Sequence, residues 1–432
     1  MKTTTLCFAM VLLSTGVVMA QDSLTVEQAV QRVLATHPAI KQAMAQTGVS
    51  EARVRGTGSS RYPTIRAEAQ YNRIGPVPEL SIPNMGSFKF YPENNWDAHI
   101  AAHYTLLDFG RTSTSMDLKQ SQVQSAKDGV ELTKTLLALQ TIRAFYSILF
   151  LQKSLAVQEE QIETLNEHLS INQKRVEAGT ATNFDVLTTE VRVASAENQK
   201  IDIENALQKQ KSALRQLLGL SEEAPFAVQG DFRRDAEPVS TDSLFEIASV
   251  QRNELILARD AERSAEIQYK LSSLGHWPSV SLNASYGVKN GYIPDLDKLE
   301  KNWVGGIRAE MPIFDGGRVT HQKHEAEAGM IAGQAHVKDV EQQIRSDVEQ
   351  ATADVRAAQS RIEISDIQFQ QAHEAVKLAK IKYETGSITN LDLLDTETTE
   401  STAKLNQIRA LYRYVISQVE LDRAVGNPLI GI

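Results

Sequence analysis

The 432-residue chain holds a single cysteine, Cys7, and aromatic residues make up only 6% of it. Cys7 falls inside an N-terminal stretch with Lys2 at its head, an apolar run from Leu6 to Val18, and a small-residue end at Val18-Met19-Ala20. That pattern is expected of a secretory signal over residues 1–20, with the mature chain starting near Gln21. The mature chain then has no thiol, which excludes disulfides, a cysteine metal site and a cysteine nucleophile. Cys7 stands within the apolar run and not after it, which argues against N-terminal lipid attachment. No later stretch approaches 18 consecutive apolar residues, so any membrane crossing falls to strands. Positive charge is also short: 44 basic against 54 acidic residues remain after Lys2, the wrong sign for a nucleic-acid surface.

What is present comes twice. Lys174-Arg-Val-Glu-Ala-Gly179-Thr-Ala-Thr-Asn183-Phe-Asp185-Val-Leu187 returns as Ile381-Lys-Tyr-Glu-Thr-Gly386-Ser-Ile-Thr-Asn390-Leu-Asp392-Leu-Leu394, 207 residues later. A glycine closing one helix, with Thr or Asn ready to begin the next, is the signature of a helical hairpin. Upstream, Arg61-Tyr62-Pro63-Thr-Ile65-Arg-Ala67-Glu-Ala69-Gln-Tyr71 aligns without gaps on His276-Trp277-Pro278-Ser-Val280-Ser-Leu282-Asn-Ala284-Ser-Tyr286. Leu107-Asp108-Phe-Gly110-Arg111 likewise aligns on Phe314-Asp315-Gly-Gly317-Arg318. The chain is therefore a tandem repeat: residues 21–219, a Pro-rich acidic linker at 220–242, and residues 243–432.

Within each repeat the hydrophobic period changes. Residues 24–60 and 243–275 carry helical spacing; strand hairpins with period-2 alternation follow at about 62–106 and 277–313. Their connections, 72–95 and 287–302, read as loops, the first rich in Gly and Pro. Then Ile148, Leu155, Ile162, Leu169 and Val176 recur every seven residues, as do Val348, Val355, Ile362, Phe369, Val376 and Tyr383. A strict seven-residue repeat predicts left-handed coiled-coil packing of helices roughly 100 Å long. The turns fall at 179–185 and 386–392, and the helices after them are half as long, so two half-length helices stack against each long one.

Four strands of nine or ten residues, apolar on one face and polar on the other, suit a membrane barrel but cannot close one. Two copies would give eight strands with a filled interior; three give twelve, with room for water. Tyr62, Tyr71, Trp96, Tyr104, Trp277, Tyr286 and Trp303 lie near strand ends, where interfacial aromatics belong. The expected fold is mainly α with a small antiparallel β part: a coiled-coil α-barrel tunnel joined to a β-barrel of four strands per chain.

The repeated turn and junction motifs, in this order over nearly the whole mature chain, resemble the TolC-like outer-membrane efflux (channel-tunnel) family. The resemblance implies a homotrimer with a twelve-stranded barrel in outer-membrane lipid and a helical tunnel in the periplasm. It implies a passive exit duct serving efflux or type I secretion, docked on a periplasmic adaptor (membrane fusion) protein and an inner-membrane pump or ABC exporter. The tip turns Gly179, Thr180, Asn183, Asp185, Gly386, Ser387 and Asn390 would meet the adaptor. Asp392 and Asp395 resemble the family's acidic constriction, and Tyr383 its tip aromatic. Asp108, Gly110, Arg111, Asp315, Gly317 and Arg318 would mark the strand-to-helix junctions. One departure is Ile388, where the best-known members carry arginine, so the closed-state latch should differ here.

Other chemistries find no footing. Asp392 and Asp395 have no nucleophile or acid motif beside them, so no enzyme is expected and no cofactor is implied. As six carboxylates around one axis they would attract cations and raise one another's pKa; as solvated surface acids they would do neither. His321, His324 and Glu325 have helical metal spacing but no closed ligand set, while His99 and His103 sit about 13 Å apart along a strand. No metal site follows. A trimeric coiled-coil adhesin is the rival reading; it explains the heptads but not the duplicated strand hairpins.

Overall fold

The structure, a computed structural model, describes residues 23–83, 86–221, 224–232 and 241–429. The expected signal peptide lies outside the described residues, as does much of the expected linker at 220–242. The first repeat runs β1 (Ser23–Leu24), α1 (Val26–Thr36), α2 (Pro38–Gly58), β2 (Thr64–Arg73), β3 (Glu79–Ile82), β4 (Gly86–Lys89), β5 (Asn94–Leu107), α3 (Arg111–Glu177) and α4 (Asn183–Leu218). After β6 (Ala227–Val228) come α5 (Thr241–Gln251), α6 (Asn253–Ser273), β7 (Ser279–Lys289), β8 (Glu300–Glu310), α7 (Arg318–Glu384) and α8 (Asn390–Val425). The fold is mainly helical, with a small four-stranded antiparallel sheet, two two-stranded pairs (β3–β4 antiparallel, β1–β6 parallel) among the described residues, and a twofold internal repeat. Both long helices, α3 and α7, have 67 residues, and both helices after the turns have 36.

Residues 24–60 and 243–275 are each two helices instead of one. In the first, Pro38 has no N–H to donate and takes the first helical position of α2. His37 is extended there, and its Nδ1 accepts from the Ala39 amide at 3.2 Å. In the second, no proline is involved. Arg252 breaks the helix at φ −69°, ψ 118°, held by its own buried side chain. A second correction concerns 72–95, read as loop: it contains the β3–β4 hairpin, with Leu80 opposite Phe88.

Two apolar clusters sit at the middle of the long helices. Ile142, Phe145 and Ile148 of α3 pack with Val30 and Val33 of α1, Leu214 and Leu218 of α4, and Val415 and Val419 of α8. Ile344 and Val348 of α7 pack with Leu244 and Ala248 of α5, Leu255 of α6, and Val425 of α8. Away from these clusters the helices touch along narrow seams. There the heptad residues Ile362 and Val376 are buried and the opposite faces are wet. α2 and α4 both lie along α3, so two shorter helices back each long one.

Candidate gate at the helical tip and the strand sheet opposite it

Each long helix stops on the same device. Gly179 and Gly386 both have φ 73°, a conformation in which an L side chain would clash. The Thr180 amide donates to Arg175 O at 2.8 Å and the Gly179 amide to Val176 O at 2.9 Å; Ser387 and Gly386 repeat this on Lys382 and Tyr383. These paired bonds satisfy carbonyls that the helix end leaves open. Three residues later a capping box starts the returning helix. Thr182 accepts from the Asp185 amide while Asp185 accepts from the Thr182 amide, and Thr389 and Asp392 do the same. The Thr389 hydroxyl and amide, at 2.6 and 2.9 Å, hold the Asp392 carboxyl below the usual carboxylate range.

The two helical hairpins meet at a buried polar knot. Asn172 of α3 donates to Thr189 of α4 at 3.1 Å and to Asn390 of α8 at 3.0 Å. Tyr383, at the end of α7, donates its hydroxyl to Asn172 Oδ1 at 2.9 Å, and the Arg175 guanidinium lies 4.7 Å from its ring centre. One turn along α3, His168 Nε2 is 2.9 Å from Glu397 Oε1 of α8, and Lys380 Nζ of α7 is 3.4 Å from the same oxygen. On the exposed side, Arg192 of α4 reaches Asp395 at 2.6 Å.

The expected site residues therefore divide. Tyr383 is drawn into the knot. Asp392 and Asp395 share a helix, but one carboxylate caps its own helix and the other is paired with Arg192, so neither is free within the chain. Gly179, Thr180, Asn183, Gly386 and Ser387 lie on the outside of the turns, and Asp185 is half-buried. Asn390, expected as an outer contact, is 5% exposed, because the first residue of α8 faces α3 and α4. Its repeat counterpart Asn183 is exposed.

About 100 Å away by helix rise, the sheet runs β2-β5-β7-β8, antiparallel throughout. The registers collect Ile65, Ala67, Ala69, Ile100, Ala102, Leu282 and Ile307 on one face. The other face carries Arg66, Glu68, His99, His103, Asn283 and Arg308, as the alternation predicts. Tyr71 pairs with Trp96, ring centres 4.5 Å apart, and Tyr286 with Trp303. Those four, with Tyr62 and Trp277 just before the strands, are exposed; Tyr104 is half-buried. His99 is held by Asp97 at 2.9 Å and Glu68 at 3.4 Å, while His103 meets Asn283 at 2.7 Å, so the two histidines serve different partners. Among the described residues β2 and β8 each leave one edge unpaired.

Where strand becomes helix, a carboxylate caps each long helix. Asp108 accepts from the Gly110 and Thr112 amides at 3.1 and 2.7 Å, and Asp315 from the Gly317 and Val319 amides, both at 3.0 Å. Burial pushes the Asp108 carboxyl up, but the bonds from Thr112 and Gly110 outweigh it and leave it lowered. Chiefly the Val319 amide lowers Asp315. Gly110 and Gly317 both have positive φ, which turns the chain into the helix. Arg111 reaches across to the second repeat and donates to the Leu274, Gly275 and Trp277 carbonyls at 3.1–3.4 Å. Arg318 stays exposed, 3.9 Å from Asp315.

Residues 29–220 and 244–427, one block per repeat, match the sequence model of the outer membrane efflux protein family. The chain belongs to that family. Among its relatives, outer membrane protein TolC of Vibrio cholerae is 24% identical over 324 residues, spanning 72% of this chain and 73% of that protein. Outer membrane protein OprJ of Pseudomonas aeruginosa is 24% identical over 409 residues, spanning 92% and 83%. The crystal structure of the outer membrane protein VceC from Vibrio cholerae superposes with a TM-score of 0.80 at 20% identity over 94% of this chain and 96% of that one. The open state of the Neisseria gonorrhoeae MtrE outer membrane channel gives 0.78 at 18%, over 94% and 90%.

Several tip residues of this outer membrane efflux protein were not picked out by sequence reasoning. Thr182-x-x-Asp185 and Thr389-x-x-Asp392 fit the capping-box pattern, so the carboxylates' local duty was legible. Asn172, His168, Arg175 and Arg192 carried no such signal. Asn172 and His168 are polar residues four apart within the heptad run, and only burial distinguishes them from wet-face residues.

Proposed function

We propose that this protein is the outer-membrane exit duct of a tripartite efflux or type I secretion system, a homotrimer that conducts substrate passively. One observation carries the reading. A sheet with two unpaired edges and an apolar face stands at one end of helices about 100 Å long, and a polar knot ties the hairpins at the other. An unpaired edge is not tolerated in lipid, so β2 of one copy must meet β8 of the next, and three copies close twelve strands. The exposed aromatics then lie at the lipid interfaces and the polar face lines the lumen. The leader at 1–20 would route the chain out of the cytoplasm, unlipidated, and the helices would stand in the periplasm. The outer turns would meet the adaptor, which docks the inner-membrane pump. Asp392, Asp395 and Tyr383 would form the gate, opening when the α7–α8 hairpin swings off the knot.

The internal repeat supports one way for copies to meet. Arg111 grips the carbonyls of 274, 275 and 277; shifted by the repeat, Arg318 would grip the Ser59, Ser60 and Tyr62 carbonyls of a second copy. Leu394 is fully buried, whereas its counterpart Leu187 is 60% exposed and awaits the same kind of cover. Arg318→Ala should weaken each junction between copies by about 2 kcal/mol, the worth of charge-assisted bonds. The trimer should then dissociate at lower temperature in detergent, with the helix content of the chain unchanged. A trimer as heat-resistant as the native one would reject this contact.

The function itself is tested by reconstitution. Purified protein in a planar bilayer should give discrete single-channel currents, and a trimeric adhesin gives none. Silence in both membrane orientations and at every voltage would defeat the duct.

A further inference from the structure

We infer that Arg66 and Glu68 on β2 of one copy and Arg308 and Glu310 on β8 of the next form an ion-pair ladder across the sheet, in the register that the internal repeat dictates. The inference rests on the duct reading above and concerns how its barrel closes. All four residues are exposed and lie on the polar face of the sheet. They stand on the two strands that each leave an edge unpaired among the described residues. Glu68 has one ion pair there, 3.4 Å to His99. Arg66, Arg308 and Glu310 have none among the described residues. Four charges at two open edges thus want partners that the single chain does not supply.

The repeat gives the register in which those edges meet. β5 maps onto β8 by adding 207 to each residue number, and β7 maps onto β2 by subtracting 215. Both hairpins already obey this mapping. Thr64 opposite His103 returns as Ser279 opposite Glu310, and Arg73 opposite Asn94 returns as Val288 opposite Lys301. The pairing of β5 with β7 inside the chain therefore predicts the pairing of β8 with β2 of another copy. Ala102 opposite Ala284 becomes Ala309 opposite Ala69, and His103 opposite Asn283 becomes Glu310 opposite Glu68. Ala101 opposite Ser285 becomes Arg308 opposite Gln70, which puts Arg308 one diagonal step from Glu68. Thr105 opposite Ser281 becomes Pro312 opposite Arg66, which puts Glu310 one diagonal step from Arg66. Diagonal neighbours on one face are roughly 7–8 Å apart, within reach of long side chains. The charges then zigzag over the seam in the order Arg308, Glu68, Glu310, Arg66. The outer two steps attract and the middle one, carboxylate against carboxylate, repels. Each seam is joined without giving the lumen a net charge.

The full-length protein in detergent tests this in two ways. Residues directly opposed across an antiparallel pair are about 5 Å apart, within disulfide reach. Oxidation of Ala69→Cys with Ala309→Cys should therefore give a covalent trimer, and Ala67→Cys with Ala309→Cys about tenfold less of it. These pairs keep all four charges, so they test the seam even where a charge-reversed variant fails to assemble. Separately, Arg66→Glu makes two of the three steps repulsive and should cut the trimer surviving heat about tenfold. Glu310→Arg only exchanges which step repels and should leave survival near native. Together the two reversals make every step attractive and should restore survival to the native level or above it. A double variant no more resistant than Arg66→Glu, or a seam that links through Ala67 instead of Ala69, overturns the ladder and leaves the duct standing. A trimer that links in register and shows the rescue but passes no current overturns the duct and leaves the ladder. A chain that stays monomeric throughout overturns both.

Discussion

Joining Arg192→Cys to Asp395→Cys with a short bis-maleimide abolishes export and leaves the trimer intact. The two side chains meet at 2.6 Å on the exposed flank of the knot, one on each hairpin, so a covalent bridge there forbids the hairpins to part. The background is clean, because the only native cysteine is Cys7 in the expected leader. The unlinked double variant supplies the control. An ion pair with side chains 36% and 58% exposed is worth no more than about 1 kcal/mol, so losing it leaves the resting junction nearly as it was. Efflux by cells carrying the linked form should fall to the level of cells lacking the protein. Undiminished efflux at full linkage would remove the moving hairpin from the mechanism and leave a permanently open tube.

Arg252→Ala should cost about 3 kcal/mol, the lower part of the range for breaking a buried ion pair from one side. The guanidinium is 5% exposed and fastens three elements at the helix break: Glu254 of α6 at 2.7 Å, Asp347 of α7 at 2.8 Å, and the Ala424 carbonyl of α8 at 3.0 Å. Arg423 stands 3.6 Å from Asp347 and 3.8 Å from Glu254, which softens the loss without replacing it. Burial pushes the Asp347 carboxyl up, yet hydrogen bonds from Arg252 and Gln343 hold it below its ordinary value of 3.8. A depressed carboxylate contributes its stability above its unfolded pKa and loses it as pH falls through the lower folded value. The gap between native protein and Arg252→Ala should therefore be full at neutral pH and shrink in strong acid. Thermal unfolding followed by helical circular dichroism at pH 7 and pH 3 measures this; a difference below 1 kcal/mol at pH 7 would show that the break at 252 is held by something else.

Most of the architecture was legible because it is written in short-range chemistry. The glycines at 179 and 386, the Thr-x-x-Asp caps, the change from seven-residue to two-residue periodicity, and the Asp-x-Gly junctions each act over a few residues. Pro38 announced a break that reading residues 24–60 as a single helix passed over. Arg252 had no such marker, since two of its three partners, Asp347 and Ala424, are 95 and 172 residues away.

The amino-acid sequence by itself determined the doubled unit, its turns and its sheet faces, all consequences of period, cap and backbone conformation. Only the tertiary structure decided what the paired motifs do. Asn183 and Asn390 begin helices of equal length with the same cap, yet one faces water and the other is buried against Asn172. Asp392 serves its own cap and Asp395 serves Arg192. The reason is that a local motif fixes backbone shape equally in both copies, whereas the neighbour that each copy meets is set by which repeat lies beside it, and within one chain the two repeats have different neighbours.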